Sequence, residues 1–244
     1  MNDFVNAFKF MGNHTSLLFD KTVEHLHLSG VAVGIALLMA VPVGLWLGHL
    51  HRGSVVAINV ANIGRALPSL ALISIGAGIL GIGFTNVVVA LVVLAVPPML
   101  TNAYVAVDQV EPDAVEAARG MGMRASQVFW RVELPLSLPL LFAGIRTATL
   151  FVVASATLAA IAGGGGLGDI IVNQASYGLP GVLAAAIWVS ALAVLADFTF
   201  GLLQRLVTPR GLRKRRTEFE SAPPGSDPRM PAATARPMAE PELR

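Results

Sequence analysis

Cysteine is missing from all 244 residues. That excludes disulfides, thiol nucleophiles and Cys-ligated metals, and it does not choose a compartment. Charge is scarce as well. Asp, Glu, Lys and Arg make up 13% of the chain, against about 25% in soluble domains. None of the four occurs between Arg65 and Asp108. A soluble fold of this length needs charged faces throughout, and here apolar residues reach 55% with a mean hydropathy of +0.68. A cleavable leader is not evident either. A signal opens with Lys or Arg and follows with a short apolar core. Here Asp3, Lys9, Asp20, Lys21 and Glu24 are mixed into the start, so the first apolar run is expected to stay in the mature protein.

What is present is long apolar runs. A membrane span needs roughly 20 mostly apolar residues, and five stretches qualify: about Leu28 to Leu47, Val55 to Leu80, Phe84 to Val107, Leu136 to Ala162 and Val182 to Leu206. The second carries Pro68, which disfavours helix at Leu67 and removes a backbone donor. Either that helix kinks there, or it begins near Pro68 with the preceding segment at the interface. The third carries Pro97-Pro98. Prolines at membrane depth are tolerated where neighbouring helices satisfy the freed carbonyls, so these sites are expected inside a bundle.

Basic residues in the flanking loops orient the bundle. With five spans, Arg52, Arg119, Arg124, Arg131, Arg205, Arg210, Arg213, Lys214, Arg215 and Arg216 share one side, and only Lys9 and Lys21 fall on the other. The expectation is an all-α polytopic membrane helix bundle of about five transmembrane helices, with the N-terminus outside and the C-terminus in the cytoplasm. The cluster around Arg213 reads as a positive anchor against anionic lipid rather than a nucleic-acid site, because it abuts the last span. From about Thr217 to Arg244 the chain is rich in Pro, Ala, Glu and Ser. Such a segment buries too little apolar surface to offset its ordering entropy, and a disordered cytoplasmic extension is expected.

Between the third and fourth spans the chain reads EPDAVEAARGMGMRASQVFWRVELPLSLP from Glu111. Pro112 suits the first turn of a helix. Ala114, Ala117, Ala118 and Met121 recur at spacings of three and four and make one small apolar face. Gly120 and Gly122 then interrupt it. A second amphipathic piece follows, with Val128, Phe129 and Val132 on one side and Arg124, Gln127 and Arg131 on another. Leu134-Pro135 closes the segment and opens the fourth span. Small side chains allow close approach, and glycine allows a sharp turn at positive φ. A knob of this kind suits docking into a groove on a soluble partner. The bland alternative is a juxtamembrane hairpin with no partner.

This segment resembles the signature of permease subunits of bacterial ABC importers: Glu-Ala-Ala, three residues, Gly, nine residues, Ile, one residue, Leu-Pro. Glu116, Ala117, Ala118, Gly122, Val132, Leu134 and Pro135 stand at that spacing, with Val132 in place of Ile. The resemblance implies that a cytoplasmic coupling helix, within about 111–133, docks on a separate ATPase subunit that carries the hydrolysis. It implies a second permease copy or a related partner, an extracytoplasmic solute-binding protein, and a place in the bacterial inner membrane. It implies no cofactor, no metal and no catalytic group on this chain. The domain pattern is then an extracytoplasmic segment 1–27, a permease domain 28–206, and a basic then disordered tail 207–244. The stretches at Gly64–Ala71, Ala143–Ala148 and Gly163–Asp169 resemble the branch importing osmoprotectants such as glycine betaine, choline and carnitine. Methionine-importer permeases share the signature, and a self-contained secondary transporter is the alternative from another class.

Other residues carry two readings each. Arg65 either lines the pathway or marks the interface. Arg146 snorkels, or pairs with Glu133 or a carbonyl. Asp197 lines the route for a cationic solute, or pairs with Arg146 or Arg205; ionisable groups at membrane depth are costly and often functional. The glycine run from Gly163 to Gly168 lacks the Gly-Lys-Ser/Thr of a phosphate loop. It is a flexible break between helices or, through Gly165, Gly166 and Asp169, a docking surface for an external receptor. His14, His25, His27, His49 and His51 do not form a metal set by spacing.

Overall fold

The computed structural model describes residues 2–208. Arg210, Arg213, Lys214, Arg215 and Arg216, and the expected disordered tail, lie outside the described residues. All regular elements among those described are helices. Helix α1 (Asn2–Asn13) leads through His14 into α2 (Thr15–His49). So the first long helix begins well before Leu28. Its polar first turns hold together through a Lys21–Glu24 pair at 2.8 Å, one turn apart.

The expected second span is not one helix. Helix α3 (Ser54–Ala66) ends at Leu67, whose backbone is extended (ψ 117°), and α4 (Ser69–Leu80) starts after Pro68. The cause is the proline: its ring excludes helical geometry at the preceding residue. Among the described residues, four helices are long and apolar enough to cross a membrane: Thr15–His49, Phe84–Asp108, Ala125–Ala162 and Gln174–Val207. The second of these is α5 (Phe84–Asp108). The third is composite, with α7 (Ala125–Val128), a π turn (Phe129–Glu133), α8 (Leu134–Ser155) and a 3₁₀ stretch (Ala156–Ala162). Between α5 and α7 lies α6 (Pro112–Gly120), and α9 (Gly168–Val172) precedes α10 (Gln174–Val207).

Small residues let α2 and α5 meet closely. Leu28, Ala32, Ala36, Ala40, Gly44 and Gly48 recur every four residues on α2 and are all buried. A Cβ at Gly44 would lie 2.6 Å from the Leu100 carbonyl oxygen, and one at Gly48 would lie 2.7 Å from that of Tyr104. Lipid supplies little hydrophobic drive between helices, so close van der Waals contact of this kind carries the association. The two helices run in the same direction: His27 stacks on Phe84 at one end, and Gly48 meets Tyr104 and Val107 at the other.

Helices α3 and α4 run back along α5. Thr101 donates to the Ala57 carbonyl at 3.2 Å, Gly64 abuts Pro97, and Asn86 donates to the Ile73 carbonyl at 3.1 Å. Helix α8 is antiparallel to α5, with Gly144 against Asn102 and the 3₁₀ end against α5's start (Gly83 N–H to the Ala162 carbonyl, 2.8 Å). Helix α10 packs on α8, and α1 lies against α10 through Phe10 and Tyr177. The main core is formed by α2, α5 and α8, around Leu91, Met99 and Val152.

Candidate functional site

The signature residues fold into an elbow with its own small core. Val110, Val115, Ala118 and Val128 are buried together, with Met123, Val132 and Leu136 packed on them. On α6 the inward residues are therefore Val115 and Ala118. Ala117 is exposed and Met121 is 71% exposed. The expected single face of Ala114, Ala117, Ala118 and Met121 is thus split. At about 100° per residue, Val115 and Ala118 point together while Ala117 lies about 100° further round. The outward surface includes Glu116, Ala117, Gly120 and Met121.

Helix α6 ends at one glycine, not two. Gly120 is still helical, and only Gly122 has positive φ, at 82°. The Gly122 N–H donates to the Arg119 carbonyl (2.9 Å) and the Met123 N–H to that of Ala118 (3.2 Å). These two bonds are a Schellman closure, and Met123 supplies its usual apolar contact back onto Ala118. Fixed spacing from Ala118 to Gly122 is what this geometry demands.

No break separates the second amphipathic piece from the fourth span. Arg124 opens α7, its backbone N–H held by Gln127 Oε1 at 2.8 Å. The chain then widens into the π turn, where the Leu134 N–H reaches the Phe129 carbonyl. Pro135 explains the widening: it offers no N–H to Arg131 and its ring crowds that carbonyl. Val132 packs into the elbow core, and Leu134 and Pro135 form the first positions of α8.

A hydrogen bond ties the elbow to α2, and an ion pair ties α8 to α10. Glu133 is 1% exposed and meets His49 Nδ1 at 2.5 Å. Hence the end of α2 is fastened to the π turn beside the elbow. Arg146 pairs with Asp197 instead, through Nε–Oδ1 and Nη2–Oδ2 contacts of 2.5 Å each. A fork of this kind satisfies both charges with fixed geometry. Asp197, Gly201 and Gln204 share the face of α10 turned to α8, where Gln204 donates to the Pro139 carbonyl at 2.8 Å. Val194, Phe198, Leu202 and Leu206 of α10 are exposed. Arg65 lies in the last turn of α3; its side chain is outside the described residues.

At the other end of the bundle the glycine run is a packed turn. Gly166 is buried, its N–H donating to Glu24 Oε2 at 2.9 Å, and Lys21 bridges Glu24 to Asp169 Oδ2 at 2.7 Å. Gly165 lies against Glu24, and Asp169 faces a cavity of about 470 Å³ lined also by Lys21, Asn173 and Tyr177. Gly165 and Asp169 are half-buried. Among the described residues, no three His, Asp or Glu side chains converge as a metal site.

The sequence reading missed His49, Val115, Met123 and the pairing of Glu133. Val115 and Ala118 are three apart, so their helical spacing was visible; which face turns inward depends on the bundle. His49 and Glu133 are 84 positions apart and leave no local trace.

Comparison with known proteins bears on the whole arrangement. Residues 40–209 match the family described as binding-protein-dependent transport system inner membrane component. The glycine betaine/carnitine/choline transport system permease protein OpuCB of Bacillus subtilis is 37% identical over 84% of this chain and 94% of its own. The osmoprotectant import permease protein OsmW of Salmonella typhimurium is 31% identical over 86% of this chain and 100% of its own. Among solved structures, a chain of the inward-facing MetNI methionine ABC transporter superposes with a TM-score of 0.69 at 25% identity, covering 80% of this chain and 98% of that one. The chain belongs to the family of binding-protein-dependent transport system inner membrane components and is a multi-pass ABC permease subunit of the inner membrane.

Proposed function

We propose that this permease imports quaternary-ammonium osmoprotectants such as glycine betaine, choline or carnitine, driven by a separate ATPase and supplied by an external binding protein. The observation that carries the solute class is the set of relatives, named for these solutes or for osmoprotectants, that align along most of both chains. The chain crosses five times, N-terminus outside and C-terminus inside. Because α2 and α5 point the same way, the chain between them must return across the bilayer, and α3 and α4 supply about 37 Å of helix for it. The domain pattern follows: an extracytoplasmic start, a permease body to about 206, and a cytoplasmic tail.

The elbow docks on the ATPase through Glu116, Ala117 and Gly120, while Ala118, Gly122 and Val132 hold its shape and Leu134-Pro135 joins it to α8. Arg146 and Asp197 keep α8 and α10 in register. The receptor docks at the opposite end around Asp169, beside Lys21 and Tyr177, with the buried glycines setting the turn. Two permease subunits, identical or related, complete the pathway. ATP binding closes the ATPase pair, draws the elbows together and switches the spans from inward-facing to outward-facing.

The test is uptake of radiolabelled glycine betaine into proteoliposomes holding permease, ATPase and binding protein. Uptake is expected to need ATP and to be lost with Gly122→Asp or Glu116→Lys. Uptake that follows an ion gradient without the ATPase overturns the reading; uptake of methionine in its place overturns the solute class alone.

A further inference from the structure

Where α3 and α4 part at Leu67 and Pro68, they leave a cavity of about 360 Å³ against α5 and α8. That volume falls within the range of small-molecule sites, roughly 300–1,000 Å³. Among the described residues its lining carries no charge. Hydroxyls come from Ser69, Thr101, Thr147 and Ser155, an amide from Asn102, and a single aromatic ring from Phe151, which is 59% exposed.

The break supplies backbone dipoles as well. Pro68 has no N–H for the Gly64 carbonyl, and Gly64 lines the cavity. On the other wall, Ser69 is the first residue of α4, whose opening N–H groups have no helical acceptors and favour negative charge. A half-helix end of each sign thus faces one space, as at the interrupted helices of other membrane carriers.

A quaternary ammonium has no N–H to donate, so oxygen acceptors cannot hold it by hydrogen bonds. Its methyl groups spread the positive charge and suit the face of an aromatic ring. A carboxylate on the same solute needs donors. We infer that this cavity is a passing-contact site for a methylated-ammonium solute, with the Phe151 ring and the Gly64 carbonyl on the cationic end and Ser69 with the first N–H groups of α4 on the anionic end. The inference rests on the solute class proposed above and adds the residues that touch it. Helix α8 carries Phe151 and Thr147 and is continuous with the elbow, so the cavity wall moves with the coupling segment.

The experiment is reconstituted uptake of glycine betaine and of choline by Phe151→Leu, Phe151→Tyr and Ser69→Ala permeases, each assembled with ATPase and binding protein. Phe151→Leu is expected to slow both solutes about tenfold, and Phe151→Tyr to keep most of the rate, with both still co-purifying with the ATPase. Ser69→Ala is expected to slow glycine betaine several-fold and choline little, since choline has no carboxylate. Wild-type rates for Phe151→Leu, equal losses for Leu and Tyr, or separation of the permease pair on gel filtration each overturn the proposal; the last would make Phe151 a subunit contact. If the wild-type complex moves neither solute, the proposed function fails too, and that arm alone reveals it.

Discussion

A single backbone angle governs the elbow. At φ 82° Gly122 occupies the left-handed region, where an L side chain costs about 1–2 kcal/mol. Gly122→Ala is expected to weaken ATPase association about tenfold, measured by titrated co-purification. Gly120→Ala sits at a helical position with open space around it and is expected to leave the elbow folded by limited proteolysis at Arg119 and Arg124. The Arg146–Asp197 pair obeys a different rule: an unpartnered ion at membrane depth is worse than none. Asp197→Asn and Arg146→Gln are each expected to lower the yield of detergent-stable permease, and the swapped pair Arg146→Asp with Asp197→Arg to recover part of it. Equal yields for all four proteins would remove the pair from the account of α8–α10 packing.

Between elements, close approach decides. The parallel contact of α2 and α5 depends on Gly44 and Gly48 lying over backbone oxygens. Gly48→Leu is expected to force the helices apart and depress thermal stability and transport together, while Leu38→Ala, on a residue 79% exposed, changes stability little. The apolar runs told most of the helix inventory: α5 coincides with the expected third span within one residue at its end, and the signature spacing fell on the segment that folds into the elbow. The division of Val55 to Leu80 into two helices followed from Pro68, which offered kink or restart without choosing. What stayed hidden was long-range. Whether Arg146 takes Glu133 or Asp197, and which face of α6 turns inward, are decided by neighbours far away in sequence. The start of α2 at Thr15 was hidden for another reason: its polar first turns carry no hydropathy signal.

For the whole molecule, the absence of cysteine makes the crossing count directly testable. Single cysteines at Ile82 and Ser176 are expected to react with a membrane-impermeant maleimide in intact cells, and one at Ser126 only after permeabilisation. All three positions are exposed. Labelling of Ser126→Cys from outside would invert the orientation, and an unreactive Ile82→Cys beside a reactive Ser176→Cys would put the α4–α5 turn on the wrong side.

The uninterrupted run from Ala125 to Ala162 has a mechanical meaning. Its 38 residues extend about 57 Å. One end is gripped by Val128 in the elbow core; the other holds the turn at Gly83 and Gly164. Pivoting such a rod by roughly 5° about one grip sweeps the far grip through about 5 Å, close to a full helical pitch. If the elbow and the Asp169 end bind partners as proposed, a shared strut links their two surfaces without a relay of side chains between them.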